Sequence, residues 1–119
     1  MRAPLSPFAL VLSASLLAAA PAAAADGAKV FNLQCRTCHA AKSSVAGPSL
    51  NGVAGRRIAS LGDFAYSSAL KSKGGAWTDA ALDAYLAAPA KFAPGGRMFT
   101  AVAAPADRAA VIAYLKTLK

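Results

Sequence analysis

Cysteine, histidine and acidic side chains are all scarce in this chain. Of 119 residues, two are cysteine, one is histidine and five are acidic, every one of them aspartate. A structural zinc needs four ligands, so two cysteines and a lone histidine leave the second ligand pair missing. No stretch alternates apolar with polar residues as a strand would, and no strand–helix–strand alternation surrounds the cysteines, which argues against a thioredoxin-like redox fold. Internal repeats, linkers and signs of a second domain are also missing. The 56% hydrophobic content is inflated by an alanine-rich start and does not mark a membrane protein.

What is present is concentrated in Cys35-Arg36-Thr37-Cys38-His39. Cys-x-x-Cys-His is the attachment signature of a c-type haem. Two thiols three residues apart lie on one helical turn, where they can add across two neighbouring vinyl groups to give thioethers. His39 follows at once and is placed to bind the iron as proximal ligand. A disulfide between the same cysteines would close a very short loop and gain little. The cofactor implied is one covalent haem c with its iron.

Residues 1–25 read as a secretory signal peptide. Arg2 and the free amine give a positive start, Phe8 to Ala20 is apolar, and Ala23-Ala24-Ala25 forms a small-residue cleavage site before Asp26. The apolar part falls short of the ~20 residues of a spanning helix, and Pro21 interrupts it; an uncleaved anchor is the alternative. Export agrees with haem attachment outside the inner membrane, so a periplasmic location is expected. Removing 25 residues from 119 leaves 94, one small domain spanning 26–119. A chain of that size often needs a staple, and a covalent haem supplies one.

Twelve Lys and Arg against five Asp leave the mature chain near +7, before haem propionates subtract up to two. A periplasmic address disfavours nucleic acid as the partner, and acidic protein docking surfaces are expected instead. For any single Lys or Arg, solubility alone is a sufficient explanation.

Four helices are expected. The first runs from about Gly27 to Cys38, the second is short near Ser67–Lys71, and the third is capped by Thr78 and stops before Pro89. The fourth starts near Pro105, with Val111, Leu115 and Leu118 on one face. Gly47-Pro48, Asn51-Gly52 and Gly55 mark a long loop. Residues 89–103 read as a loop rather than another helix.

With His39 used and Met1 in the leader, Met98 is the one sulfur left for a second axial position. It sits in the turn-rich Pro94-Gly95-Gly96-Arg97-Met98 rather than on an apolar helical stripe, where methionine usually fills core space. His/Met ligation raises the reduction potential and leaves no open coordination site.

Over residues 26–119 the chain resembles soluble class I cytochrome c. The matching pieces run in the family's order: Gly27 and Phe31, Cys35–His39, Gly47-Pro48-Ser49-Leu50, Gly55-Arg56-Arg57 and Phe64-Ala65-Tyr66-Ser67. Lys73-Gly74 with Trp77, Tyr85-Leu86, Pro94–Met98 and Ile112-Ala113-Tyr114-Leu115 complete the series. The resemblance implies an all-α fold of three to four helices and loops wrapped round the haem, with the terminal helices crossing at Gly27, Phe31 and Tyr114. It implies that the Pro48 carbonyl accepts the outer N–H of His39. It also implies that Arg56, Tyr66 and Trp77 serve a buried propionate and that Tyr85 lies beside the Met98 sulfur. There are departures. The segment between His39 and Pro48 is about three residues short, Asn51 replaces a histidine, Leu70 an asparagine and Phe92 a tyrosine. Thr100 stands where an aromatic often covers the haem.

The function implied is a diffusible one-electron carrier with no catalytic residue, monomeric and at most peripheral to a membrane. Lys42, Lys71, Lys73, Lys91 and Arg97 are candidates for a basic docking ring. A quinol–cytochrome reductase and a terminal oxidase, or a photosynthetic reaction centre, are the partners by family analogy. The alternative is an electron-accepting subunit of a periplasmic dehydrogenase. A haem peroxidase or gas-binding protein needs an open distal position, against which Met98 argues.

Overall fold

The computed structural model describes residues 2–4, 13–15 and 25–119. Most of the expected leader, residues 1–25, lies outside the described residues. Five helices form: α1 (Gly27–Gln34), α2 (Ser68–Lys73), α3 (Asp79–Ala87), α4 (Pro89–Phe92) and α5 (Pro105–Leu115). Among the described residues no strand forms, only isolated bridges pairing Ser44 with Gly47 and Arg57 with Ala76. None of the helices among the described residues is long and apolar enough to cross a membrane.

Caps set most of the boundaries. The Asp26 carboxylate accepts from the Lys29 N–H at 3.2 Å, Ser67 Oγ from the Leu70 N–H at 3.3 Å and Thr78 Oγ1 from the Ala81 N–H at 3.1 Å. α2 stops at Gly74, whose φ of +68° is open to a residue without Cβ. α1 is shorter than its sequence suggests. The Phe31 carbonyl accepts from both Cys35 and Arg36, at 2.9 and 3.0 Å, which breaks the regular ladder. A tight turn then follows, with the N–H groups of Cys38 and His39 both donating to the Cys35 carbonyl at 3.2 and 2.9 Å.

A second correction concerns residues 89–103, which are not all loop. Pro89 opens the four-residue α4 at its first position, where the missing N–H costs nothing. One turn is too short to leave a periodic signal.

α1 and α5 cross where Gly27 meets Ala110. A Cβ on Gly27 would overlap the Ala110 carbonyl and come within 3.0 Å of Tyr114 Cβ. Just beyond, the Phe31 and Tyr114 rings lie 5.2 Å apart at 52°. α5 buries Val111, Ile112 and Leu115, and α3 buries Leu82 and Leu86. Arg108 joins the two helices, its Nε donating to Asp83 at 2.8 Å. Its Nη1 donates to the carbonyls of Val102 (3.0 Å) and Ala103 (2.8 Å).

In a helix, Gly→Ala normally stabilises by up to ~1 kcal/mol. Gly27→Ala should instead destabilise by about 1–3 kcal/mol, because backbone must move to admit the methyl. A thermal melt should fall by roughly 5–20 °C. Gly62→Ala, with open space around its Cβ, should leave the melt nearly unchanged.

Candidate functional site

A cavity of about 310 Å³ opens between the turn after α1, the loops on either side of α2, and the inner faces of α3 and α5. Cys35, Cys38 and His39 reach it from the turn, and Met98 from the segment after α4. Leu50, Val53, Leu82, Leu86, Val111 and Leu115 make its lining largely apolar. Residues far apart in sequence thus meet at one site.

Cys35 is buried and Cys38 exposed; burial pushes the Cys35 thiol above its ordinary value by desolvating the thiolate. The His39 imidazole Nδ1 lies 2.8 Å from the Pro48 carbonyl. A carbonyl only accepts, so Nδ1 carries the proton and Nε2 keeps its lone pair, the tautomer suited to binding a metal. Gly47 permits this approach: a Cβ there would lie 3.1 Å from His39 Nδ1 and 2.7 Å from the Cys38 carbonyl.

Arg56 also lines the cavity. Its Nη1 donates to the Asn51 carbonyl at 3.0 Å and its Nη2 to that of Ser49 at 3.2 Å, while its Nε is buried without a partner among the described residues. A buried, unpaired N–H of a cation fits a carboxylate carried by a bound group. The Tyr66 hydroxyl accepts from the Leu61 N–H at 3.3 Å. Trp77 and Tyr85 line the cavity with ring centroids 5.1 Å apart, and burial pushes the Tyr85 hydroxyl above its ordinary pKa.

Leu70 and Thr100 line the cavity too, whereas Phe92 stacks behind Trp77 at 5.7 Å and Asn51 is exposed. Leu70 is half-buried against the core, so replacing a polar residue there orphans no polar atom at that position.

The cytochrome c family model matches residues 24–119. The chain belongs to the cytochrome c family. It is 47% identical over 95 residues to the "cytochrome c-type cyt cy" of Rhodobacter capsulatus, covering 77% of this chain. It spans about half (47%) of that longer relative. It is 45% identical over 98 residues to cytochrome c2 of Rhodoblastus acidophilus, covering 78% of this chain and 90% of the relative. Its fold matches cytochrome cH from Methylobacterium extorquens with a TM-score of 0.72 and 40% identity, over 79% of this chain and 97% of that one.

Members of the family carry a covalently attached haem c with its iron, and Cys35 and Cys38 fit the attachment motif. The chain is accordingly a haem-based electron carrier. The residues present fit the group, through two thiols on the cavity wall, an imidazole in the ligating tautomer, an apolar lining and the unpaired Arg56 Nε. The motif made the cysteines and histidine visible in sequence. Gly47 showed as a turn signal and as part of the Gly47–Leu50 match to the family; its closeness to the imidazole ring joins residues eight apart across a loop and left no pattern of its own.

Proposed function

We propose that the chain is a periplasmic one-electron carrier, its haem tethered through Cys35 and Cys38 and its iron bound by His39 and Met98. The observation that carries this is the meeting of Met98 with a tautomerically fixed His39 on one cavity. When bound, the haem supplies reversible exchange of a single electron between ferric and ferrous iron. The chain's own residues do the rest. Pro48 orients His39, the apolar lining keeps water out, and Arg56 offsets negative charge inside. His39 and Met98 together would hold the iron and leave no site for substrate, which is the basis for reading the protein as a carrier without catalytic residues. Residues 26–119 form the working domain once 1–25 are removed, and it acts as a monomer.

Partners of opposite charge, with acidic docking surfaces, agree with the mature chain's formal charge of about +7. A quinol–cytochrome reductase, a terminal oxidase or a photosynthetic reaction centre would present such surfaces. Lys42, Lys71 and Lys91 are exposed. Lys73 is engaged, donating to the Phe92 carbonyl at 3.0 Å and lying 4.0 Å over its ring. Electron exchange with an acidic redox protein should therefore slow as salt rises, because charges beyond ~8 Å are screened at physiological ionic strength. Lys91→Glu should slow it severalfold at low salt and flatten the salt dependence, with the haem spectrum unchanged. Stopped-flow across a salt series is the measurement. Equal rates for variant and wild type at every salt concentration would remove the docking role.

A further inference from the structure

Arg97, one residue before Met98, is exposed and invites assignment to the docking charge. The structure gives its guanidinium other work. Its Nη2 donates to the Ala65 carbonyl, and its Cζ lies 5.3 Å from the centroid of the Phe64 ring. Both contacts cross to the loop before α2, which is itself braced: Phe64 and Tyr66 pack edge to face at 5.0 Å, and Tyr66 accepts from the Leu61 N–H. Arg97 and Phe64 line the main cavity together and also a smaller one beside it, so their contact forms part of the wall between them.

The main chain around Met98 explains why such a tie matters. Before it, the Gly96 N–H donates to the Ala93 carbonyl at 3.0 Å; after it, the Val102 N–H donates to the Leu86 carbonyl at 2.8 Å. Between those anchors, residues 97–101 make no main-chain hydrogen bond to any described residue. Phe99 is 82% exposed, so the neighbouring side chain adds little anchorage. Met98 itself is half-buried against the core.

We infer that Arg97 is a positioning residue, a clamp that holds the Met98 segment over the cavity by tying it to Ala65 and Phe64. The inference rests on Met98 being the axial ligand. A charge-assisted hydrogen bond to a carbonyl and a stack on an aromatic face both depend on the planar guanidinium. Loss of the clamp leaves Met98 on a segment fixed only at its two ends. The segment then departs more often, and an outside ligand competes more easily.

Imidazole binding to the ferric holoprotein, followed in the visible spectrum, is the test. Arg97→Ala should raise imidazole affinity about tenfold and lower the pH at which the far-red Met–iron band disappears. Arg97→Lys should recover part of the difference, because a lysine reaches the carbonyl but does not stack. Phe64→Leu, which keeps the Ala65 bond, should fall between wild type and Arg97→Ala. Lys91→Ala removes one exposed positive charge six residues away in the chain and should stay within about twofold of wild type. Wild-type affinity in Arg97→Ala overturns the clamp, and an equal rise in Lys91→Ala overturns it in favour of a general charge effect. If Met98→Ala leaves the far-red band and imidazole affinity unchanged, the ligation reading fails, and this inference with it. If Met98→Ala abolishes the band while Arg97→Ala behaves as wild type, only the clamp fails.

Discussion

A Cys35→Ala, Cys38→Ala double variant is expected to lack bound haem and to show no cooperative melt. The cavity between the turn after α1 and the inner faces of α3 and α5 measures about 310 Å³. Unfilled core volume costs roughly 24 cal/mol per Å³, so leaving this one empty would cost up to about 7 kcal/mol, less where its mouth admits water. A small domain has only ~5–15 kcal/mol of stability in total. Val53, Leu82, Leu86, Val111 and Leu115 belong both to the cavity wall and to the core, so collapse into the space would dismantle the packing of α3 on α5. Far-ultraviolet circular dichroism against temperature checks this. A sigmoidal melt at the wild-type temperature would show that the polypeptide closes its core without the cofactor.

Met98→Ala is expected to keep the haem and the fold while changing the iron. The thioethers and His39 remain, and a half-buried methionine contributes only part of its packing to the core. The ferric far-red band should vanish, the spectrum should become high-spin or water-ligated, and peroxidase-like turnover should appear. The midpoint potential should fall by on the order of 0.1–0.3 V, because a thioether ligand favours ferrous iron and axial ligands together span ~0.8 V. Optical spectra and a redox titration report both. A low-spin spectrum with an unmoved midpoint would show that another side chain occupies the sixth position.

The parts of the fold legible in sequence are those that write themselves locally. Thr78 announces a helix start because a cap bonds within three residues, and Pro105 does so through its own φ, whereas the capping roles of Asp26 and Ser67 emerge only in the structure. The attachment motif is contiguous, and Met98 stood out because no other sulfur competes for the position. The end of α1 was hidden because it depends on which N–H groups the Phe31 and Cys35 carbonyls accept. Arg108 and Arg97 were hidden for a different reason. Their partners, Asp83 and Ala65, lie 25 and 32 residues away, and only the folded topology brings them together. Arg97 consequently looked like one more surface charge, though its geometry sets it apart from Lys91.

The crossing at Gly27 also bears on the order of events while the chain is made. α1 and α5 lie about seventy residues apart in sequence, from Gln34 to Pro105, so their contact forms only after α5 has been made. A chain emerging N-terminus first presents the Cys35–His39 turn early and holds it open throughout that interval. Closure then buries Cys35 and disfavours its thiolate, the form of a thiol that reacts. If these cysteines carry the haem as proposed, thioether formation would be favoured before the last helix docks, and the distance between the two helices in sequence would set a time window for maturation.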